Sequence, residues 1–279
     1  MKDKKVWLVT GASKGLGLAL VKQLLNNGFK VAATSRNVAD LKKAVNYDGD
    51  SFLPLAVNLT SEESVADAIE KTIGTFGQLD VVVNNAGYGM TGALEELSDA
   101  EARSNFDINV FGSLNIIRKV MPQLRKQGSG HILNISSIGG FNGMFPGFGI
   151  YCATKFAVHG FTEALATEIK PFGIHATVVS PGYFRTDFLT ADSLSIPQNP
   201  IAAYRAVREV EDVHQQNING NQPGDPDKAA AAIIAITETQ NPPLHLFLGQ
   251  DAFDMAHVKM DVVKKDLEEW KELTTSTGF

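Results

Sequence analysis

Short apolar runs alternate with longer helical segments along this chain. Seven of these runs predict strands, over residues 6–10, 30–34, 52–57, 81–83, 131–136, 175–179 and 244–248. Most of them lack period-two alternation and are rich in valine, isoleucine and leucine, which is typical of strands buried on both faces. Helices are predicted near residues 15–27, 38–46, 61–76, 99–127, 151–171, 226–239 and 252–273. This alternation predicts a parallel, doubly wound α/β sheet with helices on its faces.

The segment over residues 183–222 interrupts the alternation. It contains Pro197, Pro200 and the polar run NINGNQ, and no strand is predicted within it. A loop of this length in a compact domain usually serves a function or is disordered. We therefore predict a mobile substrate lid over residues 183–222, with a short helix near 200–216. The lid belongs to a single domain, residues 1–279, which ends in a C-terminal helix over 251–273.

Composition and charge exclude several classes of protein. The formal net charge is −6, so the basic excess that is typical of nucleic-acid-binding proteins is missing. The longest apolar run, residues 229–236, is far shorter than the roughly 20 residues of a membrane helix, and we expect no membrane span. Cys152 is the one cysteine, so no disulfide forms within the chain and the reducing cytoplasm is the expected location. His131, His159 and His175 lack the spacing of metal ligands, and we expect no metal site.

A glycine-rich turn joins the first predicted strand to the first predicted helix. Glycine permits the tight backbone angles of such a turn and lets a pyrophosphate approach the backbone closely. The N-terminus of the helix then offers unpaired N–H groups and the positive end of its dipole. These features predict dinucleotide binding by Gly11, Ser13, Lys14, Gly15, Leu16 and Gly17.

The order Thr-Gly-x-x-x-Gly-x-Gly in this turn differs from the G-x-G-x-x-G fingerprint. It resembles the short-chain dehydrogenase/reductase family. The resemblance implies a single Rossmann-type domain, with a seven-stranded parallel sheet flanked by helices, and a nicotinamide cofactor. It also implies a homodimer or homotetramer, because the helices near 99–127 and 151–171 resemble those that form dimer contacts in the family.

The end of the second predicted strand lacks the acidic residue that holds the ribose 2′-hydroxyl of NAD. Ser35 and Arg36 stand there instead. Arg36 can form a forked ion pair with a 2′-phosphate, Ser35 can donate a hydrogen bond to it, and Lys14 adds a second cation. These positions resemble the NADP-preferring members of the family. We therefore predict NADPH as the cofactor, in preference to NADH.

Tyr151 and Lys155 are four residues apart on a predicted helix, so they share one face. A nearby ammonium stabilises a phenolate and lowers the pKa of the tyrosine, which can then exchange a proton with a carbonyl or alcohol oxygen. The pair resembles the family's Tyr-x-x-x-Lys motif, which implies that both residues also contact the cofactor. Upstream of it, Ser136, Ser137 and Gly140 fit the family's Ser-Ser-x-x-Gly pattern.

Within this pattern Ser137 is predicted to hold the substrate oxygen. It lies fourteen residues before Tyr151, one more than is common in the family, and we place the additional residue between Gly140 and Pro146. Ser136 is the alternative, but strand alternation points its side chain to the opposite face. Asn109 resembles the family's fourth catalytic residue, which supports a water chain that relays protons to the lysine.

Three more segments resemble cofactor-binding parts of the family. The run Asn84-Asn85-Ala86-Gly87 follows the fourth strand, where the family's backbone passes the adenine ribose and the first asparagine ties neighbouring strands together. Asn58 stands where the family usually has an aspartate near the adenine. Pro181-Gly182-x-x-x-Thr186 resembles the segment that holds the nicotinamide carboxamide. The resemblance thus implies cofactor contacts from Asn58, Leu59, Asn85, Ala86, Gly87, Tyr151, Lys155, Pro181, Gly182, Phe184 and Thr186.

Large apolar residues cluster in the predicted loops near the strand ends: Met90, Phe141, Met144, Phe145, Phe148, Tyr183, Phe184 and Phe188. Such a lining suits a small apolar carbonyl or alcohol. We predict an enzyme similar to carbonyl reductases and hydroxysteroid dehydrogenases, which reduces an apolar ketone or aldehyde with NADPH. Two alternatives stay open. One is an NADP-dependent alcohol or hydroxysteroid dehydrogenase acting in the opposite direction, and the other is a non-catalytic NADPH-binding sensor.

Overall fold

Seven strands form one parallel sheet in the computed structural model, which describes residues 4–190 and 193–279. These strands are β1 (Val6–Val9), β2 (Lys30–Ser35), β3 (Phe52–Ala56), β4 (Val81–Asn84), β6 (Gly130–Ile135), β7 (Ile174–Pro181) and β9 (His245–Leu248). Their order across the sheet is β3-β2-β1-β4-β6-β7-β9, and every pair is parallel. The predicted doubly wound, Rossmann-type fold is therefore confirmed, and its strand order reverses between β1 and β4, where open α/β sheets bind their ligands.

Helices cover both faces of this sheet. Among the described residues the α-helices are α1 (Gly15–Asn26), α2 (Val38–Val45), α3 (Glu62–Phe76), α4 (Asp99–Phe106), α5 (Ser113–Gln127), α6 (Gly149–Ile169), α7 (Arg205–Asp212), α8 (Pro226–Thr237), α9 (Gln250–Glu269) and α10 (Lys271–Thr275). Their starts follow the local sequence. The Ser61 side chain accepts a hydrogen bond from the Ser64 N–H at the start of α3, and Ser98 and Glu101 form a capping box at the start of α4. No helix in the described parts of the chain is long and apolar enough to cross a membrane.

The core lies in two layers, one on each face of the sheet. One layer packs side chains of α1 and α8, such as Leu20 and Ile233, against the strands. The other packs α3, α5 and α6 against the opposite face, with Val65 and Leu124 among its fully buried side chains. Burial on both faces explains why the strands lack alternation of apolar and polar residues.

A buried polar ladder interrupts the apolar core at the carboxyl end of the sheet. The Asn84 amide on β4 donates to the Asn134 side-chain oxygen on β6 at 2.8 Å, and the Asn134 amide donates to the Thr162 hydroxyl on α6 at 2.9 Å. The expected tie between neighbouring strands through Asn84 is confirmed. Because buried polar groups are costly unless they are paired, this ladder fixes the register of α6 on the sheet.

The helix predicted over 99–127 is interrupted. A π-helical turn over Asp107–Gly112 separates α4 from α5. Asn109 lies in this turn, and its side chain makes hydrogen bonds outside the helix, to the Tyr88 backbone and the Thr154 hydroxyl. Such turns often mark functional positions.

The prediction of no strand between residues 183 and 222 is wrong. A two-residue strand, β8 (Leu194–Ser195), pairs in parallel with β5 (Gly89–Met90). The pairing is too short to leave a periodic signal in the sequence. The short helix predicted near 200–216 is present as α7, followed by a π-helical turn over Val213–Ile218. Residues 191 and 192 of the predicted lid lie outside the described part of the chain.

Candidate functional site

A cavity of about 660 Å³ opens at the carboxyl ends of β1, β4, β6 and β7. The glycine turn after β1 forms one end, and aromatic side chains near the start of α6 form the other. Most of the residues predicted for the site line this cavity: Gly11, Ser13, Lys14, Gly15, Leu16, Ser35, Arg36, Asn58, Leu59, Asn85, Ala86, Gly87, Ser137, Tyr151, Lys155, Pro181, Gly182, Phe184 and Thr186. Gly17 and Asn109 are buried beside the cavity and are absent from its lining.

The glycine turn requires its glycines. Gly11 and Gly15 have φ angles of +64° and +58°, a region that side chains other than glycine rarely adopt. A Cβ on Gly17 would lie 2.5 Å from both the Asn85 side-chain nitrogen and the Gly11 carbonyl oxygen. The Asn85 amide donates to the carbonyl oxygens of Thr10 and Gly11, each at 2.9 Å. These hydrogen bonds hold the turn against the segment that follows β4. The residues of the turn thus line the cavity with their backbone N–H groups nearby.

One end of the cavity lies beyond the end of β2. Arg36 is exposed at its edge, while the Ser35 hydroxyl donates to the Asn37 carbonyl oxygen at 2.6 Å. The Asn58 side-chain oxygen accepts hydrogen bonds from the N–H and hydroxyl of Thr60. Asn58 thus lines the cavity with its side-chain oxygen already engaged in a local turn.

Ser137, Tyr151 and Lys155 meet at the centre of the cavity. Tyr151 and Lys155 are 8% and 5% exposed, one turn apart on α6. Ser137 and Tyr151 lie next to each other beside Gly139, and the Ser136 hydroxyl points away and donates to the Lys155 carbonyl oxygen at 2.9 Å. The loop over residues 141–148 joins the turn after Ser137 to α6, and Ser137 and Tyr151 line the same cavity.

Burial dominates the electrostatics of this group. It raises the pKa of the Tyr151 phenol, and the hydrogen bond with Ser137 opposes that change. Burial also lowers the pKa of Lys155 to about 8. The Lys155 ammonium donates to the Ile135 carbonyl oxygen at 2.9 Å and lies 5.8 Å from the centre of the Tyr151 ring. Both groups therefore have pKa values that respond to any charge placed in the cavity.

Asn109 is buried next to the cavity and makes hydrogen bonds with the backbone of a lining residue, Tyr88. Its side chain donates to the Tyr88 carbonyl oxygen at 3.0 Å and accepts from the Tyr88 N–H at 3.0 Å. A Cβ on Gly87 would lie 3.0 Å from the Asn109 oxygen and 3.5 Å from the Lys155 nitrogen. Asn109 and Lys155 therefore both lie close to the position that a side chain of residue 87 would take, and Asn109 fixes the backbone at Tyr88.

Aromatic and polar side chains form the other end of the cavity. Phe145, Phe148, Tyr183, Phe184 and Phe188 line it as expected. Three other predictions of cavity lining are wrong. Met90 is buried in β5, Phe141 packs on Phe247, and Met144 is 59% exposed outside the cavity. All three are close to strand ends in sequence, but Met90 lies in β5 and the other two lie in a loop whose side chains at these positions lie outside the cavity.

The sequence also missed two parts of the site. The Asp251 carboxylate, at the start of α9, accepts a hydrogen bond from the Tyr183 N–H at 2.7 Å and lies beneath Gly182. His214 donates from Nδ1 to the Val210 carbonyl oxygen, so its Nε2 accepts from the Tyr183 hydroxyl, 2.9 Å away. Both residues lie in segments without a recognisable motif, and only the tertiary structure brings them to Tyr183.

The match to known proteins agrees with this geometry. Residues 5–195 match the short chain dehydrogenase family. The chain belongs to this family. Over 275 residues it is 36% identical to oxidoreductase BOA17 of Botryotinia fuckeliana, covering 98% of this chain and 99% of that protein. It is 38% identical over 247 residues to a 3-ketodihydrosphingosine reductase of Bacteroides thetaiotaomicron, covering 88% of each.

Solved structures of other short-chain dehydrogenases share the fold. One from Streptomyces avermitilis is 37% identical and superposes with a TM-score of 0.90, covering 98% of this chain and all of that one. A 3-ketoacyl-(acyl-carrier-protein) reductase from Brucella melitensis, complexed with NADH, is 27% identical with a TM-score of 0.72, covering 88% of this chain and 96% of that one. The structure of ElxO with NADP bound is 26% identical and has a TM-score of 0.74. The match covers 90% of this chain and 99% of that one. This short-chain dehydrogenase is therefore an oxidoreductase that uses a nicotinamide cofactor.

The fit of Gly17 against Asn85 can be tested with a matched pair of helical glycines. Gly17→Ala should lower the free energy of unfolding by about 1–3 kcal/mol, because the added methyl group overlaps the Gly11 carbonyl. Gly74→Ala in α3, where the added methyl group meets nothing within 4 Å, should raise it by about 0.5–1 kcal/mol. Urea denaturation measures both changes, and equal effects of the two substitutions would contradict the close approach.

Proposed function

We propose that this short-chain dehydrogenase reduces the carbonyl of a small apolar ketone or aldehyde with NADPH, and reversibly oxidises the corresponding alcohol. The observation that carries the proposal is the group formed by the half-buried Ser137 and the buried Tyr151 and Lys155. It lies between the glycine turn and the aromatic end of one cavity. A non-catalytic sensor would not require this group, so we favour an enzyme.

The cleft fits a dinucleotide, because a turn with positive φ angles at Gly11 and Gly15 lines it directly before the N-terminal end of α1, where unpaired N–H groups favour a pyrophosphate. We assign the pyrophosphate to Gly11, Ser13, Gly15 and Leu16, with Gly17 setting the shape of the turn. We assign the ribose and adenine to Asn58, Leu59, Asn85, Ala86 and Gly87. The nicotinamide end is assigned to Pro181, Gly182, Phe184 and Thr186. Asp251 positions this last segment through Tyr183.

NADPH supplies the hydride in this scheme, and the protein supplies orientation and a proton. Ser137 and Tyr151 donate hydrogen bonds to the carbonyl oxygen, and Tyr151 transfers its proton to that oxygen as the alcohol forms. Lys155 hydrogen-bonds the nicotinamide ribose, and its positive charge lowers the pKa of Tyr151 against the effect of burial. Asn109 acts as a positioning residue that holds the Tyr88 backbone and supports proton return to Lys155.

The preference for NADPH follows from charge at the end of β2. Arg36 is exposed at the cavity edge and Lys14 lines the same region. No acid follows Ser35 to repel a 2′-phosphate. An arginine matches phosphate geometry with paired donors, which favours the phosphorylated cofactor.

The segment 183–222 serves as a lid in this proposal. The buried Glu96 carboxylate accepts hydrogen bonds from the Ile201 N–H at 2.7 Å and from Arg208 at 2.6 Å. The β5–β8 pairing adds a second attachment. These contacts hold the lid over the cavity, with Phe188 and His214 on its inner side. The aromatic side chains Phe145, Phe148 and Phe188 at this end of the cavity favour an apolar substrate.

The names of two relatives bear on the direction of catalysis. The Bacteroides thetaiotaomicron relative is named as a reductase of a keto compound, which supports carbonyl reduction. A human relative, 35% identical over 195 residues, is named 17-beta-hydroxysteroid dehydrogenase type 1, and the match covers 67% of this chain and 58% of that protein. The same catalytic group serves oxidation of an alcohol, which we keep as the second candidate.

We also propose a homodimer or homotetramer located in the cytoplasm. The helices α5 and α6 carry the resemblance to the family's dimer contacts.

The single cysteine, Cys152, is buried and its pKa is raised by burial to about 11, so it plays no part in the chemistry.

Replacing the tyrosine hydroxyl tests the proposed enzyme. Tyr151→Phe should lower the turnover number with NADPH on a panel of ketones and aldehydes by about 10²–10⁴, because the proton donor is lost. NADPH affinity, measured by fluorescence titration, should change little. Tyr47→Phe, which alters a tyrosine packed on Phe52 outside the cavity, serves as the control. Near-normal turnover by the Tyr151→Phe variant would contradict the scheme.

The cofactor preference is tested at Arg36. Arg36→Ala should weaken NADPH binding by about tenfold or more, since a hydrogen bond to a charged group is worth about 1.5–3 kcal/mol. The Kd for NADH should stay within twofold of the wild-type value, which corresponds to a change in binding free energy of at most about 0.4 kcal/mol. Lys43→Ala, at an exposed position on α2, controls for the general loss of positive charge. Equal affinities of the wild type for both cofactors, unchanged by Arg36→Ala, would refute the preference.

A further inference from the structure

Two histidines and a glutamate converge at a place separate from the cavity. His159 and Glu163 lie one turn apart on α6, and His245 begins β9. One nitrogen of each histidine and one carboxylate oxygen all lie within 4.8 Å of one another. His245 is 82 residues from Glu163 in sequence, so only the β7–β9 pairing brings the three together. The sequence-based expectation that His159 lacks a ligand partner therefore does not hold in the fold.

The side chain of His159 is held in place by its surroundings, whereas the exposed side chains of Glu163 and His245 are free to rotate. His159 is 5% exposed, and its Nε2 lies 2.8 Å from the Ser180 hydroxyl. Its ring stacks on that of His245, with centres 5.9 Å apart and planes 21° apart. The side chains of Glu163 and His245 are 51% and 37% exposed, and the distance from Glu163 Oε1 to His245 Nε2 is 3.8 Å.

We propose that His159, Glu163 and His245 bind a divalent transition-metal ion of the zinc type. Two imidazoles and one carboxylate are a ligand set that Zn²⁺ prefers, and Mg²⁺ and Ca²⁺ favour oxygen ligands instead. Residues four apart on a helix present their side chains to one side, as ligands on helices commonly do.

The geometry is close to that of a bound ion. Tetrahedral zinc with bonds of about 2.0–2.1 Å places its ligand atoms about 3.4 Å apart. Small rotations of the exposed Glu163 and His245 side chains close the remaining distance, while His159 stays fixed. Ser180 then orients the buried imidazole through its second nitrogen, as partners of metal-bound histidines do. The fourth position faces solvent and takes a water molecule.

The site is independent of the proposed dehydrogenase chemistry. None of its three ligands lines the cavity. It joins α6, which carries Tyr151 and Lys155, to β9, the strand at the edge of the sheet. A ligand that binds the folded chain and not the unfolded chain raises stability by mass action. Bound metal should therefore stabilise the attachment of β9 to the rest of the sheet.

The test uses the full chain without a histidine tag, stripped of metal by a chelator and titrated with Zn²⁺ in a calorimeter. We expect one Zn²⁺ per chain and a higher melting temperature when it is bound. His245→Gln and Glu163→Gln should each weaken binding by about tenfold or more, because even supporting residues of metal sites are worth about 10–100-fold. Both substitutions are at exposed positions, so the variants should fold normally. Co²⁺ should give the visible absorption of a tetrahedral site in the wild type and lose it in His245→Gln.

His257→Gln, at an exposed histidine on α9 outside the cluster, is the matched control and should bind Zn²⁺ like the wild type. Failure of the wild type to bind Zn²⁺ saturably would overturn the proposal. So would equal affinity in the wild type and His245→Gln, which would place any bound ion elsewhere on the protein.

Discussion

The site depends on a reciprocal pair of hydrogen bonds between the end of β6 and helix α6. The Lys155 ammonium donates to the Ile135 carbonyl oxygen, and the Ser136 hydroxyl donates to the Lys155 carbonyl oxygen, both at 2.9 Å. Gly140 lets the two backbones approach, because a Cβ there would lie 2.6 Å from the Lys155 carbonyl oxygen. With α6 fixed in this way, Tyr151 lies one turn earlier beside Ser137. The proposed catalytic group is thus positioned by hydrogen bonds to the backbone on its buried side.

The rest of the cleft is arranged around this junction by the parallel sheet. Parallel strands bring their carboxyl ends to one edge, so the glycine turn, Asn85 and Pro181 face the same cavity as Tyr151. The buried ladder from Asn84 through Asn134 to Thr162 holds α6 in register on the sheet. Asp251 extends the support to the segment after β7. The hydrogen bonds of the ladder are buried, so an arrangement that breaks one of them leaves an unpaired polar group and is disfavoured in free energy.

The sequence predicted the sheet and the centre of the site well, because both depend on local patterns. Continuous apolar runs mark the strands, and the glycine turn and the Tyr151–Lys155 spacing are short motifs. The β5–β8 pair and the π-helical turn at Asn109 were missed because tertiary contacts create them. Asp251 and His214 were missed for the same reason, since each meets Tyr183 across a long stretch of chain. Met144 was misplaced because proximity in sequence does not fix the direction of a loop.

The most direct measurement compares Ser136→Ala with Ser137→Ala, by turnover with NADPH and by denaturation. Ser137→Ala should lower turnover by about 10²–10³, as the loss of one donor to a reacting oxygen does, and should lower the free energy of unfolding by about 0.5–2 kcal/mol, because the Ser137 side chain also accepts a hydrogen bond from the Gly139 N–H. Ser136→Ala should retain turnover and lower the free energy of unfolding by about 0.5–1.5 kcal/mol, because the Lys155 carbonyl loses one of its donors. The reverse pattern, with turnover lost in Ser136→Ala and retained in Ser137→Ala, would contradict the account.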